Sequence, residues 1–478
     1  MGNGERTRDR FKRSKRMPKV DVSMGKLFGT SGVRGIVNEF LTPELALKVG
    51  MATASVSKAK KALVAKDTRV TGPLIEAALV CGLSACGVNT CKIGVLPTPV
   101  LAYLTKTLTA DVGFMITASH NPPQYNGIKI FSSDTLSYTD EIQNAVEKRI
   151  TEGNFELASW RAIGEITVSD ENRRYLDMAR TAAKPKKTWR VVVDPGCGAT
   201  FNIAPTVLRQ VGCEVITMND YPDGLFPARS SEPTKQSLAD LSKTVKAMDA
   251  DMGVGFDGDG DRVAFIDDKG DFVDFDHALS AFSSFVVRKN NGGTVVTTVE
   301  ASMCIERMVE AAGGNVVRTK VGDVYVAESL KHAGGVFGGE PCGAWVHPKY
   351  HYCPDGPLSA VLFLNALEDT GKSMSEFIGE VPRFITLREK VKCENDMKTP
   401  VLASIEKDIK HAFPAFKDFS TVDGVRIALE EGWLLIRPSG TEPVIRVTVE
   451  GESPEAARDI MEKGKVVINN ALEASKSK

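Results

Sequence analysis

The chain keeps returning to one unit: a short apolar run, a polar loop rich in Gly, Asp or Ser, then a helix-like stretch. Ala62–Ala65, Val112–Ile116, Val191–Val193, Met252–Phe256, Val295–Thr298 and Gly335–Phe337 are such runs, and 43–57, 73–87, 201–211 and 235–248 are such stretches. Runs this short suit covered strands, so the alternation predicts α/β layers with chemistry on loops at strand ends. The end of the chain reads differently. Leu434–Ile436, a Pro-Ser-Gly turn, Val444–Glu450 and a helical run from Pro454 make a small α+β unit that closes the fold. Composition shifts set boundaries near 155, 255 and 372. Length alone suggests about three domains.

Composition excludes several classes. Hydrophobic residues are 42% and charged residues 25%, as in ordinary globular chains. A formal charge of −1, from 60 Lys+Arg against 61 Asp+Glu, speaks against a nucleic-acid binder. No apolar run approaches the roughly 18 residues that span a membrane, and the N-terminus lacks a secretory apolar core. The charge is uneven, however. Residues 1–20 hold Arg6, Arg8, Arg10, Lys12, Arg13, Lys15, Arg16 and Lys19 against Glu5 and Asp9, a net of +6 that leaves −7 on the rest. That segment reads as a mobile basic tail, with the folded body starting near Val20. Nine cysteines include no CxxC pair, and the trio Cys81, Cys86 and Cys91 has no His at zinc spacing. The trio reads as small core residues, in a reduced, cytoplasmic protein without structural metal.

Chemistry concentrates in five loops. Phe256-Asp257-Gly258-Asp259-Gly260-Asp261-Arg262 lies between the strands Met252–Phe256 and Val263–Ile266. Its glycines let the backbone turn tightly, so three carboxylates can converge on one hard cation such as Mg2+. The EF-hand alternative fails, because Arg262 and Asp268 stand where that loop needs Gly and Glu. Thr117-Ala118-Ser119-His120-Asn121-Pro122-Pro123 places a hydroxyl and an imidazole at the mouth of a strand, with Lys129 ten residues beyond Ser119. Taken alone it is equally a turn with an incidental His. It lacks the G-x-S-x-G pattern of acyl transfer; beside a metal triad, phosphoryl chemistry on Ser119 is the sharper reading. Arg437-Pro438-Ser439-Gly440-Thr441 offers a phosphate cradle. Gly338-Gly339-Glu340-Pro341-Cys342-Gly343 offers a carboxylate to sugar hydroxyls, and Phe28–Gly35 brings Arg34 into a glycine-rich loop.

These motifs, FGTSGVRG (28–35), TASHNP (117–122), DGDGDR (257–262), GEPCG (339–343) and RPSGTEP (437–443), resemble those of the α-D-phosphohexomutases, in the family's order, from about residue 27 to the C-terminus. Softer similarity lies in Asp67-Thr68-Arg69, Asp194–Gly198 and Ser231-Glu232-Pro233. The resemblance implies a four-domain α/β architecture: three similar mixed α/β domains and a C-terminal α+β domain around one cleft, the last closing on the ligand. Its divisions here are 21–155 with the serine loop, 156–255 with the metal loop at its C-terminal edge, 256–372 with the sugar loop, and 373–478.

By the same resemblance Ser119 is carried as phosphoserine and joins Asp257, Asp259 and Asp261 around Mg2+. The enzyme interconverts hexose 6-phosphate and hexose 1-phosphate through a 1,6-bisphosphate. Arg34, His120, Lys129 and Arg262 surround the reacting phosphoryl group. Glu340 and Cys342 contact the sugar, and Arg437, Ser439, Gly440 and Thr441 grip the non-reacting phosphate. Two departures bear on the sugar. Cys342 and Ala344 replace the Ser and His of many relatives, a pattern similar to archaeal phosphoglucosamine mutases, and His347 is the nearest imidazole that could compensate. Lys320-Val321-Gly322-Asp323 also resembles the phosphoglucosamine-mutase branch, with Asp323 suited to an amino sugar. That branch ranks first and phosphomannomutase/phosphoglucomutase second. Outside these, a sugar-phosphate-binding protein without turnover and a Mg2+ phosphatase share the motifs. The expected partners are hexose phosphates, not nucleic acid or membrane, on a monomer or homodimer.

Overall fold

A computed structural model describes residues 26–439 and 442–476. The first sheet contains β1 (Val33–Ile36), β2 (Lys61–Lys66), β3 (Asn89–Val95), β4 (Val112–Ile116), β5 (Tyr125–Ser132) and β6 (Ile166–Val168), in the spatial order β1-β5-β4-β2-β3-β6. The second holds β7 (Arg190–Asp194), β8 (Glu214–Thr217), β9 (Met252–Phe256) and β10 (Val263–Ile266), ordered β10-β9-β7-β8. The third holds β11 (Gly293–Thr298), β12 (Gly314–Thr319), β13 (Phe337–Gly339) and β14 (Trp345–Val346), ordered β12-β11-β13-β14. A last, fully antiparallel sheet runs β15-β19-β18-β17-β16, from β15 (Ile385–Lys392), β16 (Asp418–Ser420), β17 (Val425–Ala428), β18 (Gly432–Pro438) and β19 (Val444–Gly451).

The first three sheets share one plan. A central strand pairs in parallel with a neighbour on each side: β2 with β3 and β4, β7 with β8 and β9, β11 with β12 and β13. One of those neighbours then turns back into an antiparallel partner: β4 into β5, β9 into β10, β13 into β14. The three turning loops carry Ser119, the Asp triad and Glu340 respectively. One hairpin position, used three times, therefore supplies the serine, metal and sugar loops at strand ends.

Local signals explain the scaffold. The helix Pro43–Ser57 starts where Thr42 accepts the Leu45 N–H at 3.1 Å and Pro43 opens the first turn. β4 and β9 are buried at every residue, as expected for strands covered on both faces. One apolar core, including Leu63, Met115, Val193, Phe256, Phe282 and Phe363, runs through the first three units. Ile405, Leu434, Val447 and Ile468 build a separate core in the fourth. The third and fourth units meet at Val299, Trp433 and Leu435, with Met303 and Val321 packed alongside.

Strand pairing crosses the divisions expected from sequence. β6 lies beyond residue 155 yet pairs with β3, extending the first sheet to Val168. A break at 255/256 would cut the β9–β10 hairpin, whose register places Val263 opposite Phe256; the metal loop is interior to the second unit. Met374 and Phe377, past the division at 372, are buried in the shared core, so the last unit begins at β15. The basic tail and the start near Val20 lie outside the described residues. Of the cysteine trio, Cys86 and Cys91 are half-buried and pack against the apolar cores, whereas Cys81 is exposed. All nine cysteines are free thiols.

Candidate active site

Ser119 is buried and holds a left-handed backbone with φ 52°, a strained conformation for a residue with a side chain. Neighbouring bonds hold it there. Arg69, fully buried, donates to the carbonyls of Ser119 (2.8 Å), Asn121 (2.6 Å), Pro122 (2.7 Å) and Tyr125 (3.0 Å), gathering the loop around one guanidinium. Asp67 accepts from Arg69 Nε at 3.0 Å and from Thr117 Oγ1 at 2.6 Å, and Thr117 in turn accepts the Ser119 N–H at 2.9 Å. Burial pushes the Asp67 carboxyl up to about 6, although Arg69 opposes the shift. Ser231 Oγ adds bonds to the carbonyls of His120 (2.8 Å) and Asn121 (3.2 Å). Two of the three softer motifs thus serve as the frame of the serine loop. In the third, Asp194 pins Arg229 at 2.8 Å, and Arg229 donates to the Phe256 carbonyl at 2.7 Å, at the root of the metal loop.

The Ser119 hydroxyl donates to Asp257 Oδ2 at 2.6 Å. Asp257 Oδ1 accepts the N–H groups of Gly260 (2.9 Å) and Arg262 (3.2 Å), so the loop wraps its own first carboxylate. A side chain at Gly258 would lie 2.5 Å from the Ser119 carbonyl; only glycine lets the two loops approach this closely. Lys129 donates to Asp259 Oδ2 at 2.7 Å and Asp261 Oδ2 at 2.5 Å, and Thr98 also donates to Asp259 Oδ2. Burial works against the Lys129 charge, but Asp259 and Asp261 outweigh it and hold the ammonium above its ordinary range.

The triad's oxygens lie within 4.8 Å of one another, and Asp259 Oδ1 and Asp261 Oδ1 are buried without a partner. Orphaned buried carboxylate oxygens, all hard donors, fit a divalent cation. The chain thus carries a buried acidic triad fitted to a metal.

A cavity of about 250 Å³ opens beside this cluster, lined by Ser119, Arg34, Asp261, Arg262, Asp323, Glu340 and Cys342, with Ser31, Thr298 and Glu300. Arg34 brings a guanidinium that makes a long bond, 3.5 Å to Asn121, and whose Nε is buried without a partner among the described residues. His120 sits behind Ser119, its Nδ1 3.3 Å from Oγ. Burial, then Arg262 and Arg34, push its pKa down to about 3, so the imidazole is neutral near pH 7. Glu340 accepts the Gly322 N–H at 2.9 Å, and burial with Asp323 nearby pushes its carboxyl up to about 7. Burial pushes the Cys342 thiol up to about 12, against the pull of Arg262, so it stays protonated. Asp323 accepts from Ser31 Oγ at 3.2 Å, tying the first unit to the third. The metal and sugar loops are themselves joined, Val263 N–H donating to the Gly343 carbonyl at 3.0 Å.

Other expected residues fall elsewhere. Lys320 is exposed, its ammonium 5.4 Å from the Tyr325 ring and outside the cavity lining. Arg437 is engaged by Asp423 (3.0 Å) and Glu300 (2.7 Å). Ser439 is buried and accepts the Glu442 N–H at 3.2 Å, while Lys398 donates to its carbonyl at 2.5 Å. Gly440 and Thr441 lie outside the described residues. His347 does not compensate for Ala344: it is buried between Phe282 and Phe337 and bonds Ser359 at 2.8 Å. Thr98, Thr298, Glu300 and Asp423 are the residues that reasoning from motifs missed. Thr98 opens a helix, Thr298 ends β11, and Glu300 and Asp423 lie in turns, all outside the motifs.

Four domains match in succession: Phosphoglucomutase/phosphomannomutase alpha/beta/alpha domain I over residues 25–157, domain II over 173–270, domain III over 274–384, and the C-terminal domain over 389–463. A protein of Methanopyrus kandleri named probable phosphoglucosamine mutase is 44% identical over 94% of this chain and 99% of its own. One of the same name from Pyrococcus abyssi is 43% identical over 95% and 100%. Among solved structures, a phosphoglucomutase/phosphomannomutase family protein from Burkholderia thailandensis superposes with TM-score 0.84 at 27% identity, over 94% of this chain and 98% of that one. The chain belongs to the phosphoglucomutase/phosphomannomutase family, the α-D-phosphohexomutases, with the family's four-domain α/β architecture. Within that family it is phosphoglucosamine mutase-like, an isomerase that works by phosphoryl transfer.

Proposed function

We propose that the protein interconverts glucosamine 6-phosphate and glucosamine 1-phosphate, with Ser119 as the phosphoryl carrier. The observation that carries this reading is the Ser119 hydroxyl on the cavity wall, 2.6 Å from Asp257 and beside two orphaned carboxylate oxygens. In the forward half-reaction the phosphoserine Oγ–P bond breaks and a sugar O–P bond forms, giving the 1,6-bisphosphate. The sugar hydroxyl gives up its proton as this bond forms, and His120, with its Nδ1 3.3 Å from Ser119 Oγ, is read as the group that takes it. Lys129, held protonated, instead lends positive charge to the transferring group together with Arg34 and Arg262. The bisphosphate then returns its other phosphoryl group to Ser119. Asp257, Asp259, Asp261 and a Ser119 phosphoryl oxygen would hold Mg2+, whose charge would stabilise the phosphoryl oxygens in flight.

Besides Asp261 of the triad, Asp323 and Glu340 line the cavity, a setting that suits an ammonium group on the sugar. The names of the similar archaeal proteins support the same choice. Glu340 and Cys342 are read as the sugar contacts. Arg437 is read as the ligand of the non-reacting phosphate, with Ser439, Gly440 and Thr441 beside it. Nine free thiols favour a reducing, cytoplasmic setting, and among the described residues no helix is long and apolar enough to cross a membrane.

The test is kcat/KM for glucosamine-, glucose- and mannose-phosphates under one set of conditions with Mg2+. Glucosamine phosphate should lead by at least about tenfold, the scale of one well-placed polar contact. Equal values would move the reading to a phosphomannomutase/phosphoglucomutase, and phosphate release without isomer would make it a phosphatase.

A further inference from the structure

Arg437 stands on β18 of the last unit, and both carboxylates that hold it mark the border with the third. Glu300 Oε1 accepts from Arg437 Nη1 at 2.7 Å, and Asp423 Oδ1 accepts from Nε at 3.0 Å. Asp423 is fixed from its other side, because its Oδ2 accepts the Val321 N–H at 3.0 Å. Among the described residues Glu300 makes no such second bond, and it is the more exposed of the two, 39% against 21%. It also lines the cleft cavity, whereas Arg437 is not among the lining residues. A carboxylate held only by the arginine itself therefore stands between the cavity and the guanidinium assigned above to the non-reacting phosphate.

Charge makes this position consequential. Burial works against the Arg437 charge, but Asp423 and Glu300 outweigh it and hold the guanidinium above its ordinary range. A phosphate dianion added to this trio would set three anionic groups on one cation, at distances where like charges repel strongly. Glu300 meets Arg437 through one bond, from Nη1, and a phosphate oxygen can take that place on the guanidinium. The fixed Asp423 orients the guanidinium, and the loose Glu300 is the group that can leave. The two units do not depend on it to stay together, since Trp433 and Leu435 pack on Val299 and Glu450 accepts the Met303 N–H at 2.7 Å.

We propose that Glu300 is a built-in competitor for the phosphate seat on Arg437, and that a hexose phosphate enters this seat by displacing the Glu300 carboxylate. The proposal rests on the reading of Arg437 as a phosphate ligand. Its consequence is that the protein holds its phosphate-binding arginine oriented and partly neutralised in the absence of substrate. Weak anions are then refused and dianions accepted.

Steady-state kinetics with glucosamine 1-phosphate, and inhibition by inorganic phosphate, test this on the wild type, Glu300→Gln, Arg437→Gln and the double variant. Glu300→Gln should lower both KM and the phosphate inhibition constant by about threefold, the scale of a half-exposed ion pair. The effect should vanish in the Arg437→Gln background. An unchanged or raised KM in Glu300→Gln, with Arg437→Gln still impaired, would overturn the proposal and make Glu300 either inert or part of the grip. Persistence of the gain without Arg437 would overturn it as well, by showing that Glu300 acts elsewhere. If Arg437→Gln alone leaves KM untouched, the assignment of Arg437 fails, whatever Glu300 does.

Discussion

The two ends of the cleft are built on opposite plans. At the reacting end, Ser119, Lys129 and the triad are buried, and their bonds run between two neighbouring loops and the strand that carries Lys129. At the far end, Arg437 is 24% exposed and is held by carboxylates from two different units. The contrast has a mechanical sense. A group that transfers phosphoryl must be oriented before the substrate arrives, because reorganising dipoles during the reaction would cost rate. A group that holds the non-reacting phosphate must release it, since the two phosphates of a bisphosphate have to exchange places. Rigidity belongs at the first end and exchangeable bonds at the second.

The largest effects are expected from breaking the rigid end. Removing divalent cations with a chelator should abolish turnover, and Mg2+ should restore it. Asp259→Asn, which loses a carboxylate from the triad and a partner of Lys129, should cost at least about a hundredfold in kcat even at saturating Mg2+. Wild-type kcat in that variant would detach the triad from the chemistry. Next comes the frame. Arg69→Ala leaves Asp67 buried without its cation and four loop carbonyls without their donor, and should destabilise the protein by about 3–5 kcal/mol in a denaturant melt. A loss under about 1 kcal/mol would show that the serine loop stands without it.

A smaller effect sharpens the comparison from the sugar side. Glu340 has its carboxyl raised from 4.5 to about 7 by burial and Asp323. Between those values the folded protein holds a proton that the unfolded chain has released. Stability from this group is therefore present at low pH and lost as pH rises toward 7. Thermal melts should show Glu340→Gln losing less stability than the wild type across that window. Parallel curves would mean that Glu340 is already ionised in the folded protein, its charge met by Arg262.

The family was legible in the sequence because the motifs that mark it are unusual in combination. Three aspartates alternating with glycines have few other uses, whereas Asp67-Thr68-Arg69 stood out only as a softer similarity. The shared hairpin was not legible, since Ser119, the triad and Glu340 lie in loops with no residues in common; only the pairing of β4 with β5, β9 with β10 and β13 with β14 reveals it. The continuity of the β9–β10 hairpin across 255, and of the first sheet past 155, was hidden for a related reason. β6 and β10 belong to their sheets through pairing with strands that precede them, and β6 is a three-residue run exposed at every position. The pairing of Arg437 was hidden too, because Glu300 lies 137 residues away and no periodicity connects them.

The claim on which the rest depends is that Ser119 carries the phosphoryl group, and intact-mass spectrometry with site mapping tests it directly. After incubation with glucosamine 1,6-bisphosphate and Mg2+, the wild type should carry one phosphate, mapped to Ser119, and Ser119→Ala should carry none and turn over nothing. A phosphate mapped to another residue, or an undiminished isomerase rate in Ser119→Ala, would contradict the account.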